Sequence, residues 1–157
     1  TNTFKYREFD LSFMLQFNYG NDIYNATRLF ATQSQDERSN QLAEVADRWT
    51  PTHASNKVPS AKGYVKNELY SRFIEDGSFL RLKNVVLGYT IPNKWTKKAY
   101  ISRLRVYASA QNLFCISGYS GYDPEVSTAS SNPMTPGLDW GAYPKSRIFT
   151  FGLEVQF

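Results

Sequence analysis

The sequence predicts an all-β chain whose antiparallel strands form part of a larger transmembrane β-barrel. Residues 149–157 place an apolar side chain at every second position, and residues 9–19 repeat this alternation over a longer stretch. Successive side chains of a strand project to opposite faces, so each stretch has one apolar and one mostly polar face. The connections between such stretches are alternately short and long, which is typical of outer-membrane barrels.

The pattern predicts five strands in chain order. They cover about residues 1–4, 9–19, 78–91, 102–116 and 146–157. A tight polar turn at residues 6–8 joins the first two, and Pro92 ends the third because proline cannot donate to a strand ladder. In the fourth strand, Arg105, Gln111 and Asn112 are expected to face water. Two long segments, about 20–77 and 117–145, are predicted to be extracellular loops.

The first long loop carries most of the helix-favouring residues. Leu42, Val45, Ala46 and Trp49 recur at helical spacing, which predicts a helix ending near Arg48 before Pro51. A second helix is predicted over residues 23–30, and residues 52–62 are predicted to form an irregular crossing segment. The first loop is therefore expected to be partly helical.

The end of the sequence is expected to be a structural element. Thr150, Gly152, Val155 and Phe157 resemble in type and spacing the terminal signal by which Gram-negative outer-membrane barrels reach their insertion machinery. Short connections face the periplasm in such barrels and long loops face outside. The alternation of the two along the chain then places the C-terminus on the periplasmic side. The predicted strands are too few to close a barrel, and an open edge in lipid leaves backbone groups unpaired. The chain is therefore expected to be a fragment, with the remaining strands supplied elsewhere.

Composition narrows the classes of function. The 157 residues are 41% hydrophobic, and their apolar runs are far shorter than the roughly 20 residues of a spanning helix. A spanning strand needs only about 9–11 residues, so composition permits a membrane barrel. The formal charge of +4 is spread along the chain, and nucleic acid is not an expected partner. Aromatic residues make up 16%, which suits membrane-interface girdles and also sugar-binding surfaces.

No arrangement of reactive side chains predicts catalysis, and neither a metal nor a cofactor is expected. His53 is the only histidine, and a solvated loop position is favoured for it. Cys115 is the only cysteine and is expected to be a partly buried strand residue. Asp123, Glu125 and Asp139 offer oxygen ligands, but their spacing matches no calcium loop, and ordinary turn acids are favoured.

Ordered blocks along almost the whole chain resemble the C-terminal part of SusC/RagA-family TonB-linked outer-membrane transporters. The blocks are Phe4-Lys5-Tyr6, Phe9-Asp10-Leu11-Ser12, Tyr19-Gly20-Asn21-Asp22-Ile23-Tyr24-Asn25, Arg48-Trp49-Thr50-Pro51, Glu75-Asp76-Gly77-Ser78-Phe79-Leu80-Arg81-Leu82-Lys83-Asn84-Val85, Leu87-Gly88-Tyr89-Thr90, Leu104-Arg105-Val106-Tyr107, Gln111-Asn112-Leu113-Phe114, Gly121-Tyr122-Asp123-Pro124-Glu125 and Gly141-Ala142-Tyr143-Pro144. Thr52, His53 and Ser60 depart from the family pattern, which leaves contacts of that loop open.

The resemblance implies a 22-stranded barrel with a plug, a TonB box and a SusD-like lipoprotein lid. It implies energy-coupled import of oligosaccharides or peptides across the outer membrane of a Gram-negative bacterium. Two alternatives remain: a siderophore or cobalamin receptor of the same barrel class without a lid, and a secreted soluble glycan-binding β-sandwich.

Several side chains are candidates for contact with ligand, lid or lipid. Trp49, Tyr119, Tyr122, Trp140 and Tyr143 offer aromatic faces for sugar rings, peptide side chains or the lid, with simple loop packing as the alternative. Arg81, Lys83, Lys94, Lys97 and Lys98 are expected to be rim or turn charges near a membrane interface, where they would favour anionic lipid heads.

Overall fold

The computed structural model describes residues 1–33, 40–61, 69–128 and 136–157, and these form two compact units. The first unit comprises Thr1–Tyr19, Ser78–Ser117 and Pro144–Phe157. The second comprises Gly20–Gly77 and Gly118–Tyr143. Parts of both predicted loops, residues 34–39, 62–68 and 129–135, lie outside the described residues, as does the end of the predicted crossing segment at Lys62.

The first unit is one antiparallel sheet. Its strands are β1 (Asn2–Tyr6), β2 (Phe9–Asn18), β5 (Phe79–Ile91), β6 (Arg103–Ser117) and β8 (Ile148–Gln156). They lie in the order β1-β2-β5-β6-β8, so each strand pairs with its sequence neighbours in this unit. The β1–β2 turn is shorter than predicted because pairing continues to Tyr6, opposite Phe9, and Arg7 takes a positive φ of 52°.

One face of this sheet is apolar on every strand. The register aligns Leu11 with Leu87, Leu87 with Ala108 and Ala108 with Phe151. The rings of Phe9 and Tyr89, also opposite each other, have centroids 4.7 Å apart. The side chains of Phe151 and Leu153 are 80% and 71% exposed. A packed soluble domain buries such a face, so this surface requires an apolar environment.

A bulge in β5 preserves this face along the whole strand. Met14 pairs with Asn84 and the next residue, Leu15, pairs with Leu82, which leaves Lys83 as an extra residue. The extra residue shifts the alternation by one, so Leu82 shares the face of Val85. Most apolar residues of β5 occupy even positions before the bulge and odd positions after it. The bulge therefore brings both sets to the same face of the sheet.

The second unit contains a small sheet that the sequence did not predict. Its strands are β3 (Asp22–Asn25), β4 (Ile74–Asp76) and β7 (Leu138–Asp139), in the order β4-β3-β7. Helix α1 (Ala26–Thr32) follows β3, so the helix predicted over residues 23–30 begins later, where Asn25 caps it by accepting from the Arg28 N–H at 2.8 Å. Ile23, Val58 and Phe73 form the fully buried apolar core of this unit.

The remaining helical elements are short. The helix predicted to end near Arg48 is a 3₁₀ helix over Ala43–Asp47, and a second 3₁₀ helix covers Ser71–Phe73. In the first unit, α2 (Asn93–Thr96) and a 3₁₀ turn (Lys97–Ala99) connect β5 to β6. Within the described ranges, no helix has the length and apolar character needed to cross a membrane.

Candidate functional site

The polar face of the sheet carries an ion pair that crosses a strand. Arg105 on β6 donates two hydrogen bonds to Asp10 on β2, from Nε at 2.9 Å and from Nη2 at 2.6 Å. Gly88 of β5 lies between them, and a Cβ there would meet both side chains. Arg105, which was expected to face water, lies on this polar face with its side chain 17% exposed. Glycine at position 88 therefore makes room for a bidentate pair between two non-adjacent strands.

The same face continues the network to β8. The Glu154 carboxylate forms longer ion pairs with Arg105 at 3.6 Å and with Arg103 at 3.8 Å. The ring of Tyr107 lies across Gly152 of β8, where a Cβ would overlap it. The Arg105 guanidinium lies 5.3 Å from the centre of that ring. The polar face is thus a charged wall with ordered side chains on β2, β6 and β8.

The second unit contains an open cleft of about 520 Å³. Its lining is formed by Asn25, Thr27, Arg28, Ala31, Leu42, Ala43, Glu44, Ser120, Gly121, Tyr122 and Asp139. Its apolar lining includes Ala31 of α1 and Leu42 and Ala43 at the start of the Ala43–Asp47 helix, and Tyr122, which is 78% exposed, also lines it. This volume is in the range of small-ligand sites.

Arg28 organises one side of the cleft. It donates to both oxygens of Glu44, at 2.9 and 2.8 Å, and to Glu75 Oε1 at 3.1 Å. Glu75 also accepts from the N–H and the hydroxyl of Ser120, both at 2.9 Å, and from the Asn25 amide at 3.2 Å. Two carboxylates and one guanidinium therefore hold together four segments that are distant in sequence.

These contacts shift the ionisation of the three groups. The hydrogen bond from Arg28 lowers the pKa of Glu44, against an opposing effect of burial. Burial raises the pKa of Glu75, but hydrogen bonds from Ser120, Arg28 and Asn25 outweigh it, and the net pKa is lowered. The hydrogen bond to Glu44 is the largest cause that raises the pKa of Arg28. All three groups are charged at neutral pH.

The chain was compared with known proteins and solved structures. No protein-family model matches the chain. TonB-dependent receptors P3 and P26 of Formosa agariphila are 34% and 35% identical to it over 99% of its length. TonB-dependent receptor SusC of Bacteroides thetaiotaomicron is 33% identical over 100% of its length. The solved structure of the RagAB peptide transporter covers 96% of the chain with a TM-score of 0.80 at 26% identity.

Over almost its whole length, the chain is therefore similar to TonB-dependent receptors of the SusC and RagA type. The predicted family resemblance and the predicted all-β fold class are both confirmed. The chain spans only 16% of the length of receptor P3 and 14% of SusC. A further structure, the RagAB peptide importer in the 'closed-closed' state, shares the fold with a TM-score of 0.80. The relatives are named as receptors and importers, not as enzymes.

The five aromatic residues predicted to make contacts lie in different environments. Tyr119 is buried, and its hydroxyl donates to Asp139 Oδ2 at 2.6 Å, so burial and this carboxylate raise the tyrosine pKa. Trp140 is exposed, and its ring centre lies 6.2 Å from that of Phe30 beside a second cavity of about 340 Å³. Tyr122 alone borders the larger cleft. Exposed Trp49 and Tyr143 line neither cavity.

The terminal residues proposed as an insertion signal fall on both faces of β8. Thr150 and Gly152 pair with Ser109 and Tyr107 on the polar face. Val155 pairs with Leu104 on the apolar face, and Phe157 follows the strand with its side chain exposed. Gly152 has a structural role here, because the Tyr107 ring occupies the space of a side chain. The signal itself stays a prediction.

The environments of Cys115 and Arg81 differ from expectation, whereas those of His53 and Asp123 agree with it. Cys115, near the end of β6, is exposed rather than partly buried. Arg81 is 4% exposed and is not a solvated rim charge. His53 is exposed as expected and lies 2.8 Å from Asp47. Asp123 is buried and accepts the Glu125 N–H at 2.9 Å, the geometry of a turn acid.

Sequence reasoning did not find Arg28, Glu44 or Glu75 as a cluster. Arg28 lies on α1, Glu44 in a 3₁₀ helix and Glu75 on β4. The spacing of these three residues in the sequence matches no known site motif. They come close together only because β3 pairs with β4. Only the block that begins at Glu75 carried a signal, through its family resemblance.

Proposed function

We propose that this chain supplies barrel wall and extracellular loops to an energy-coupled outer-membrane importer. The observation that carries the proposal is the exposed apolar sheet face in a chain that matches SusC and RagAB over nearly its whole length. Such a face is stable against lipid, while the charged opposite face suits a water-filled lumen. In this proposal the chain lines the lumen and positions the extracellular loops, and it performs no chemical reaction.

The cargo is an oligosaccharide or a peptide captured outside the cell under a SusD-like lipoprotein lid. SusC and the RagAB peptide importer, to which the chain is similar, support this class. TonB would act through the plug of the complete protein, and substrate would enter when the lid opens. A siderophore or cobalamin receptor without a lid is the second candidate of the same barrel class.

The topology supports an orientation in the membrane. Two short connections, the β1–β2 turn and residues 92–102, join strands whose ends are adjacent to Gln156 at the end of β8. Short connections face the periplasm in outer-membrane barrels. The C-terminus is therefore proposed to be periplasmic, and the second unit, formed by the long connections, extracellular.

Co-purification tests the proposed function. The full-length receptor is tagged, extracted from isolated outer membranes in mild detergent and analysed for bound lipoprotein. A stoichiometric lipoprotein of the lid type is expected, together with uptake that stops when TonB is deleted. Partitioning of the receptor into buffer without detergent would contradict the membrane assignment and support a soluble sandwich. A membrane-inserted receptor without a lid would support the siderophore or cobalamin class.

Deleting Phe157 should lower the amount of inserted receptor more than it lowers uptake per inserted molecule. The physical reason is that Phe157 ends the apolar face of β8 without lining either cavity of the second unit. Surface abundance and uptake are measured on the same cells, and Phe157→Tyr, which keeps a terminal aromatic ring, serves as the matched control. Equal abundance with and without Phe157 would remove it from the proposed signal.

Replacing Tyr122 by alanine should weaken substrate capture by about 2- to 10-fold, the usual value of one aromatic contact. Tyr122 is an exposed aromatic residue that lines the 520 Å³ cleft. Tyr143→Ala removes an aromatic ring outside both cavities and is the comparison variant. Apparent affinity for uptake is measured at equal surface levels. Equal effects of the two variants would show that the cleft is not the contact surface.

A further inference from the structure

Positive charge is concentrated at one end of the five-stranded sheet, in the connection between β5 and β6. This lysine connection, residues 92–102, contains Lys94, Lys97 and Lys98 and no acidic residue. All three lysines are exposed. No carboxylate of a described residue forms an ion pair with any of them. The connection therefore presents three exposed ammonium groups without an ion-pair partner among the described residues.

Aromatic side chains lie among these lysines. Trp95 and Tyr100 belong to the connection and are 64% and 90% exposed. The Lys94 ammonium lies 5.7 Å from the centre of the Trp95 ring. Tyrosine and tryptophan combine an apolar ring with a polar group and are favoured at the boundary between hydrocarbon and water. Mixed ammonium and aromatic groups match the headgroup layer of a membrane better than they match bulk water.

The lysine connection is fixed to the sheet at both ends. The carbonyl of Glu8 accepts the Thr90 N–H at 2.8 Å just before the connection begins. The N–H and hydroxyl of Ser102 donate to the Gln156 carbonyl at 2.8 and 2.9 Å where it ends. Its ends thus lie where the apolar face terminates at Ile91 and Leu104. A lipid whose acyl chains cover that face has its headgroup at the level of the connection.

We propose that the lysine connection binds the phosphate of an anionic phospholipid headgroup. Charge complementarity and continuity with the apolar face select this occupant, since a soluble anion would make no use of the adjoining apolar surface. The inference depends on the proposed function, because it requires the apolar face to contact lipid. It adds a lipid class and a binding surface to the importer assignment.

Lipid binding to the purified full-length receptor tests the proposal. The receptor is titrated with phosphatidylglycerol or with phosphatidylethanolamine of identical chains, and affinities are measured by native mass spectrometry. Each lysine near an anionic surface contributes about fivefold in affinity, so K94Q/K97Q/K98Q should lose on the order of 100-fold for phosphatidylglycerol. Binding of phosphatidylethanolamine should change little. K57Q/K145Q/R147Q removes the same charge outside the connection and should keep the preference.

The arginine variant K94R/K97R/K98R keeps the charge and should bind phosphatidylglycerol like the wild type. Equal lipid preference in the wild type and K94Q/K97Q/K98Q would overturn the proposal. An equal loss in K57Q/K145Q/R147Q would also overturn it, as would full competition by inorganic phosphate at the lipid concentration. These outcomes leave the importer assignment intact, because membrane insertion of every variant is checked first by the heat-dependent migration of a folded barrel.

Discussion

Leu153→Arg is expected to block assembly of the receptor in the outer membrane. Leu153 lies near the middle of β8, opposite Val106 on the apolar face, and is 71% exposed. A cation on the lipid face near the bilayer midplane costs about 2–4 kcal/mol. That cost is a large part of the stability of a typical folded protein. Surface abundance in the full-length receptor, measured by labelling intact cells, should fall to a small fraction of the wild-type value.

Thr150→Arg is the matched control for this substitution. Thr150 lies on the same strand but pairs with Ser109 on the polar face, so the new guanidinium faces water. The charge and size introduced are the same, and only the face differs. Near-normal assembly of Thr150→Arg beside the loss of Leu153→Arg is the expected pair of results. Equal assembly of both variants would contradict the assigned facing of β8.

Arg28→Met is expected to loosen the second unit. The substitution leaves Glu44 and Glu75 without their shared cation, and the Glu75 side chain is only 13% exposed. Loss of partly buried, charge-assisted hydrogen bonds costs about 1–3 kcal/mol. Hydrogen exchange of the full-length receptor should therefore become faster in α1 and in the Ala43–Asp47 helix, while the five-stranded sheet keeps its protection. Arg48→Met, at an exposed position in the same unit, should leave exchange unchanged.

Acidification is expected to change the hydrogen-exchange protection of the second unit in opposite directions in the wild type and in Arg28→Met. The pKa values of Glu44 and Glu75 are lowered in the folded unit, so their stabilisation is present above the ordinary carboxyl value of 4.5 and is lost as pH falls through the lowered values. In Arg28→Met, Glu44 loses the hydrogen bond that is the largest cause of its lowered pKa, whereas Glu75 keeps the hydrogen bonds from Ser120 and Asn25. Burial then raises the pKa of Glu44, and acidification should restore some protection in the Ala43–Asp47 helix. Parallel loss of protection in both proteins on acidification would contradict the role of Arg28.

The sheet was largely predictable because its signal is local. Alternation in β2 and β8 assigns every residue to a face without knowledge of any partner strand. The Lys83 bulge was not predictable in this way, since only the register against β2 reveals the extra residue. The small sheet was missed because β3, β4 and β7 have four, three and two residues, too few for a period to be seen.

Sites that depend on distant pairing were beyond sequence reasoning. Asp10 and Arg105 are separated by 95 positions, and only the β2-β5-β6 order brings them together across Gly88. The Arg28 cluster likewise depends on β3–β4 pairing. Aromatic content supplied candidates for a contact surface, but composition does not separate buried Tyr119 from exposed Tyr122.

Spin-label accessibility along β8 tests the central claim most directly. Single cysteines are introduced at residues 148–151 and 153–156 of the full-length receptor, leaving Gly152 in place beneath the Tyr107 ring, with Cys115 replaced by serine, and each label is studied in bilayers. Labels at Phe149, Phe151, Leu153 and Val155 should be accessible to membrane-dissolved oxygen, and labels at the intervening positions to a water-soluble nickel reagent. Alternation in the opposite phase, or nickel access at every position, would show that the apolar face of this sheet does not contact lipid.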